Sequence, residues 1–260
     1  MIPSSNFTGD KVVSRFFDII LSLLGLIIFS PVLLVAGAFV WMQDFHSPLY
    51  VATRVGKEGR PFRMMKLRSM VVHADKSGVD STGSDDKRIT AVGRFVRRYK
   101  LDELTQLLNV LIGDMSLVGP RPNVERETNL YTSEERLLLS VRPGITDIAS
   151  IVFSDEGDIL KGYTDPDLAY NQLIRPGKGR LGIFYVKKKT LWLDLVICLL
   201  TAVSIVSRTL ALSWLNALLR RLDAPDELLT IAARSSELQP MPPVGASEIV
   251  TSRGAPPLSA

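Results

Sequence analysis

Apolar and polar positions recur on different scales along this chain, and each scale predicts a different kind of element. The longest pattern is a run of 24 uncharged residues from Ile19 to Met42. As a helix it extends roughly 36 Å, enough for the roughly 30 Å hydrocarbon core of a bilayer. Residues 51–70 then carry Gly56, Gly59 and Pro61 between apolar positions, which predicts short strands or loops. Residues 75–90 are polar and predict a mobile loop. Between Thr90 and Lys100, Val92, Phe95 and Val96 sit among basic residues, as in a short amphipathic helix. Leu101, Leu104, Leu107, Leu108 and Leu111 continue at helical spacing to a terminator at Gly113.

Further on, Glu134 to Leu139 predicts another short helix and Arg142-Pro143-Gly144 a turn, while Asp165-Pro166 and Pro176-Gly177 read as breaks. Leu191 to Leu219 is apolar but interrupted by Asp194 and Arg208, and its longest uncharged piece, Leu195 to Ser207, is too short to span. It predicts one or two helices packed on the domain or lying in a membrane interface, where Trp192, Trp214 and Lys187-Lys188-Lys189 fit. After Ala232 the chain is rich in Ser, Pro and Gly, a composition that predicts disorder. The expectation is an α+β chain, mostly helical, in four parts. These are an N-terminal membrane segment (1–48), a globular domain (49–208), amphipathic helices (209–232) and a disordered tail (233–260).

The apolar run is long for a signal peptide, and no small-x-small cleavage site precedes polar sequence. Ser30-Pro31 lies at its middle, where proline removes a backbone donor and kinks a helix, and the serine hydroxyl can bond the freed carbonyl. Basic residues flank both sides: Lys11 and Arg15 before, Arg54, Lys57 and Arg60 after. A kinked spanning helix is one outcome. A re-entrant helix that enters and leaves the same leaflet is the other, and it keeps both basic flanks on one side.

Charge adds a patch rather than a class. The formal net charge is only +4, but Arg54 to Lys100 holds 13 Lys/Arg against 5 Asp/Glu. Such a patch is either a solvated face or a site for nucleic acid, anionic headgroups or a phosphorylated substrate. The single Cys198 precludes a disulfide within one chain, and His46 and His73 are too isolated for a histidine metal site. No Walker A loop, Rossmann glycine pattern or zinc spacing occurs.

The candidate chemistry lies at Asp102-Glu103, in the first turn of a helix. Acids there can simply complement the helix dipole. Adjacent helical residues point about 100° apart, so the pair suits one reacting carboxylate and one supporting group. A carboxylate can attack phosphorus, provided cations such as Mg²⁺ neutralise the phosphate oxygens. Arg121, its backbone restricted by Pro120 and Pro122, suits bidentate phosphate contact. Lys66, Arg68, Arg97 and Arg98 are further candidates, each of which could equally be a surface charge.

With these residues in view, the chain resembles the bacterial sugar transferases, the small monotopic polyprenyl-phosphate phosphoglycosyl transferases. The matching pieces are Arg15-Phe16-Phe17-Asp18, Ser30-Pro31, Arg54-Val55-Gly56, Lys66-Leu67-Arg68-Ser69-Met70, the unbroken block from Leu101 to Pro122, Arg142-Pro143-Gly144-Ile145-Thr146 and Trp192-Leu193-Asp194-Leu195. The resemblance implies a re-entrant membrane helix broken at Ser30-Pro31 and a small catalytic domain on the cytosolic face of the bacterial inner membrane. It implies transfer of a phosphosugar from a nucleotide sugar, usually a UDP-sugar, to polyprenyl phosphate, with release of UMP. Asp102 would be the nucleophile and a ligand of Mg²⁺, and Glu103 would orient or move a proton. Arg121, Lys66, Arg68 and Arg97 would bind phosphate. A homodimer is compatible with the resemblance, and nucleic acid is not an expected partner. The chain departs from the family at Asp147-Ile148-Ala149-Ser150, where many members carry Gly-Trp-Ala-Gln, and at Ala52 and Lys100, which leaves the sugar open. A membrane scaffold or regulator that has lost catalysis is the alternative of another class, although Asp102-Glu103 and Arg121 are intact.

Overall fold

A computed structural model describes residues 7–252, so the ends of the first and last predicted segments, 1–6 and 253–260, lie outside the described residues. The chain begins with α1 (Phe7–Met42). A hairpin of β1 (Leu49–Val55) and β2 (Pro61–Leu67) follows, antiparallel with Tyr50 opposite Lys66. Next come α2 (Ala91–Arg98), α3 (Leu101–Leu104), α4 (Leu107–Ile112), β3 (Ser116–Val118) and α5 (Glu125–Thr128). The short helix expected near Glu134 to Leu139 is a 3₁₀ helix at Glu135–Ser140, and it leads to β4 (Gly144–Thr146), which pairs parallel with β3. The remainder is helical: α6 (Ile148–Val152), α7 (Glu156–Ile159), α8 (Pro166–Ala169), α9 (Arg175–Lys188), α10 (Leu191–Val206), α11 (Arg208–Arg221) and α12 (Asp226–Ala233). The α+β, mostly helical class is the one expected.

The main core forms where α6, α9, α10, α11 and α12 meet, around Ile148, Ile151, Leu181, Leu193, Ile197, Leu215 and Leu219, each at most 1% exposed. Of the two prolines expected to break helices, Pro166 starts one, in a first-turn position where the missing N–H costs nothing, while Pro176 lies where a π-helical turn at Tyr170–Ile174 runs into α9. Pro166 follows the N-cap Asp165. The apolar stretch after Leu191 divides at Ser207, whose extended backbone ends α10 and whose side chain caps α11.

Two segments expected to be mobile or disordered have hydrogen-bonded paths over their described residues. The polar loop 75–90 is pinned: Asp167 accepts from the Ser81 amide at 2.7 Å, Gly157 accepts from the Ser84 amide at 2.8 Å, and Arg88 pairs with Asp86. Within the predicted disordered tail, residues 235–252 have no helix or strand, yet Val250 is buried and Val244 accepts a hydrogen bond from Thr132. Backbone hydrogen bonds tie down both segments.

Helix α1 is the one described helix long and apolar enough to cross a membrane, and much of it, including Ile27, Ile28, Leu34 and Phe39, is exposed. Its helix assignment continues through Ser30-Pro31, with Pro31 inside the helix. The Ser30 hydroxyl donates to Ile27 O at 2.9 Å, the carbonyl that Pro31 leaves without its usual amide donor.

The globular body grips this helix at both ends. Arg15 donates to Val110 O (2.6 Å) and Leu111 O (3.0 Å), carbonyls at the end of α4, and Asp18 accepts from the Leu117 amide and the Ser116 hydroxyl. At the other end Ala36 and Val40 pack on Leu67 and Val96. There the buried Arg68 grips Asp44 with two hydrogen bonds and donates to Ser47 O. Arg68 was expected at phosphate. It is instead spent on fastening the chain just after α1, because a buried guanidinium needs its donors satisfied on the spot.

Gly119 and Gly144 bring β3 and β4 together. A Cβ on Gly144 would lie 2.0 Å from the Gly119 amide nitrogen, closer than any contact allows. Gly144→Ala is expected to destabilise the fold by roughly 1–3 kcal/mol through overpacking, measured by denaturant unfolding in detergent.

Candidate active site

The helix pattern from Leu101 to Leu111 is interrupted. Helix α3 covers only Leu101–Leu104, and Thr105-Gln106 form a turn before α4. Lys100, immediately before α3, adopts φ 53°, a left-handed conformation costly for a residue with a Cβ. This bend sets Asp102 and Glu103 at the start of a short turn of helix.

Asn109, on α4, holds β2 in place beside them. It is fully buried, donates to Arg63 O at 2.7 Å and accepts from the Met65 amide at 2.9 Å, as a neighbouring strand would. Thr105 adds a bond to Met65 O at 3.2 Å. Strand alternation puts Lys66 on the same face as the buried Phe62 and Met64. Asn109 was quoted within the family block but not singled out. Its signal was a polar residue on the buried side of a leucine-rich helix.

The acid pair is asymmetric. Glu103 forms an ion pair with Arg121 at 2.7 Å. The Asp102 carboxylate makes no hydrogen bond or ion pair among the described residues. Burial alone would raise Glu103, but Arg121, Lys66 and Lys100 outweigh it and hold Glu103 at about 2. Asp102 moves the other way: burial and the neighbouring Glu103 raise it against the pull of Lys66 and Arg97. Two adjacent carboxylates with opposite shifts fit two different roles.

The cations around them crowd one another. Burial and then Arg121 lower Lys66 to about 8. Arg54, given no site role beforehand, is lowered by burial and lies within the field of Arg121. Arg121 itself is raised, by Glu103 first. Like charges crowded together at a partly exposed surface mark a place for an anion. Of the expected phosphate ligands, Lys66 and Arg121 converge on the acid pair. Arg97, in the last turn of α2, acts on Asp102 through its field, and Arg68 is elsewhere. Glu156 and Lys178, paired with each other, also lie within the field of Arg121 and were not foreseen.

The departure at Asp147–Ser150 has a structural account. Asp147 accepts from the Ser150 amide at 2.6 Å and Ser150 answers to the Asp147 amide, a reciprocal cap at the start of α6.

Beside Leu101, an apolar cavity of about 780 Å³ opens between α1 and α2, lined by Pro31, Val35, Phe39, Val92, Phe95 and Leu101. It joins the apolar helix to the residue before Asp102.

Among the described residues, a carboxylate without a partner, a paired one and clustered cations meet at one place, a set whose charge suits a phosphorylated ligand. The bacterial sugar transferase family matches residues 9–208, and the chain belongs to that family. It is 36% identical over 196 residues to the UDP-glucose:undecaprenyl-phosphate glucose-1-phosphate transferase of Caulobacter vibrioides, covering 74% of this chain and 69% of that one. It is 35% identical over 219 residues to the undecaprenyl-phosphate galactose phosphotransferase of Salmonella typhimurium, covering 77% of this chain but 42% of that one. Identity to an Aeromonas hydrophila UDP-N-acetylgalactosamine-undecaprenyl-phosphate N-acetylgalactosaminephosphotransferase is 30%, over 80% of this chain and 46% of that one.

The shifts give a pH profile with two limbs. If Asp102 is the reacting carboxylate it has to be ionised, and kcat/KM is then expected to fall as pH drops through its raised pKa. Lys66 loses its charge as pH rises through about 8, so kcat/KM falls again on that side. Lys66→Arg, which keeps its charge, is expected to remove the alkaline limb in a pH–rate measurement.

Proposed function

We propose that this chain transfers a phosphosugar from a UDP-sugar to polyprenyl phosphate, with Asp102 as nucleophile. The observation that carries the reading is the asymmetry of the acid pair: Arg121 holds Glu103, and Asp102 is left unpaired beside Lys66. The printed activities of the relatives, transfer of a sugar phosphate to undecaprenyl phosphate, support the reaction class.

In this mechanism an Asp102 oxygen attacks the sugar-bearing phosphorus of the donor. The bond to the bridging oxygen breaks, and UMP leaves with that oxygen. The Asp102 phosphosugar is then attacked by an oxygen of polyprenyl phosphate, which gives the polyprenyl diphosphate sugar and returns the carboxylate. Arg121 and Lys66 attract and orient the diphosphate, and Arg54 adds to their field. Glu103, ionised and fixed by Arg121, keeps that guanidinium aimed. No group of three or more His, Cys, Asp or Glu suited to a metal occurs among the described residues. An unpaired carboxylate together with substrate phosphates is still a donor set that fits Mg²⁺. Held by Asp102 and the diphosphate, Mg²⁺ would neutralise phosphate oxygens.

The apolar cavity between α1 and α2 suits the first isoprene units of the acceptor, with its phosphate towards Asp102. The grip at both ends, where one body holds Arg15, Asp18, Val40 and Asp44, supports a re-entrant α1, and the basic residues on both flanks of the apolar run support a catalytic domain on the cytosolic face of the inner membrane. The proposed setting is the first membrane step in building a bacterial surface glycan.

Asp102→Asn is expected to abolish turnover while membrane insertion persists, and the nucleotide product of the native chain is expected to be UMP. Residual transfer by the variant would remove Asp102 from its role, and UDP as product would indicate direct glycosyl transfer. In a Cys198→Ser background, Val13→Cys and Gln43→Cys are both expected to label from the cytosolic side. Labelling from opposite sides would establish a spanning helix.

A further inference from the structure

The family match ends at residue 208, but packing against the catalytic domain does not. Residues 235–252 lie along the turn that begins at Thr132 and along α9 with the turn before it. The Thr132 hydroxyl donates to Val244 O at 2.5 Å, Arg180 donates to Pro242 O at 3.1 Å, and Gln172 donates to Val250 O at 2.7 Å. The Met241 amide donates back to Gln172 O at 3.0 Å. At Gly245, φ is +72° and a Cβ would come 3.1 Å from the Glu134 side chain, so the segment turns closely over that residue. Among the described residues, its hydrogen bonds to the rest of the chain all go to residues 132–180. Val250 is buried, and Leu238 and Met241 pack partly buried against the main core, so the segment is held to this wall by apolar contact as well as by hydrogen bonds.

The wall leads to the site. The Thr132 amide donates to Glu135 at 3.1 Å, Glu135 pairs with the buried Arg175 at 2.6 Å, and Arg175 donates to Leu130 O at 2.8 Å. Between these anchors the Tyr131 hydroxyl accepts from the Asn123 side-chain NH2 at 2.8 Å. Asn123 O accepts from the Val55 amide at 2.9 Å. Asn123 follows Pro120-Arg121-Pro122, and the two prolines leave the short link to Arg121 little rotational slack.

We propose that residues 235–252 are a brace that fixes the turn carrying Tyr131 and, through Tyr131 and Asn123, positions Arg121 for the donor diphosphate. Tyr131 is then a positioning residue, and the brace acts on donor recognition rather than on lipid acceptance, whose cavity is built by α1 and α2. The inference rests on the reading of Arg121 as a donor-phosphate ligand.

The test compares the full chain with a chain stopped after Arg234 and with Tyr131→Phe, measuring UMP release against UDP-sugar and against polyprenyl phosphate. The donor KM is expected to rise about tenfold in both variants, with acceptor KM and membrane insertion unchanged, and a synthetic 235–252 peptide is expected to restore part of the loss in the shortened chain. An unchanged donor KM, or an equal rise in both KM values, overturns the proposal. Should the shortened chain fail to insert, Tyr131→Phe decides alone by the same criterion. If the full chain releases no UMP from any UDP-sugar, the reaction itself is refuted and the brace with it. A full chain that is active alongside unaffected variants refutes the brace only.

Discussion

The ion pair between Arg121 and Glu103 organises the whole site. Two adjacent carboxylates in a half-buried cleft repel one another, and neither is favoured by identity alone. Arg121 resolves the tie by holding Glu103 ionised at 2.7 Å, which leaves Asp102 unpaired in the field of Lys66. The pair also ties α3 to the loop after β3, the two parts of the chain that meet at the proposed phosphate site. A lysine at position 121 would keep the charge but lose the planar fork.

Much of the surrounding structure makes that meeting accurate. Asn109 replaces a missing strand beside β2, so Lys66 faces the acid pair without a larger sheet. Gly119 and Gly144 let β3 and β4 approach where a methyl group would collide, and the loop bearing Arg121 leaves from that point. On the far side, the Tyr185 hydroxyl donates to Asp194 and accepts from Lys189, which in turn donates to Val118 O, and this fastens α9 and α10 to the end of β3. The family motif around Trp192 is thereby explained by support rather than by chemistry.

The apolar helix is tied to this site by geometry as much as by composition. Arg15 and Asp18 fix its first part to the α4–β3 corner, and Arg68 with Asp44 fixes the chain just beyond its end. Between them the apolar cavity runs to Leu101, so a molecule bound along α1 reaches the helix that carries Asp102. A charged site on the body and an apolar path along the helix meet at one residue, the arrangement that a substrate with a polar head and an apolar tail requires.

Much of this was legible in the residues themselves. An uncharged run of membrane length, a hairpin around Gly56 and Pro61, an amphipathic α2 and the unbroken block containing Asp102, Glu103 and Arg121 are local patterns, and local patterns determine local structure and candidate chemistry. Partnership was not legible. Nothing in the spacing distinguished Arg121, which meets Glu103, from Arg68, which meets Asp44, because both are arginines in a basic chain and only the folded path decides which carboxylate each one reaches. The same holds for the last turns of the chain. Ser, Pro and Gly between residues 235 and 252 exclude a core but not an ordered strand of backbone, whose partners at Thr132, Gln172 and Arg180 lie far away in sequence. Composition thus determined what the chain contains, and long-range hydrogen bonds and ion pairs, which exist only once distant segments meet, decided what each charged residue does.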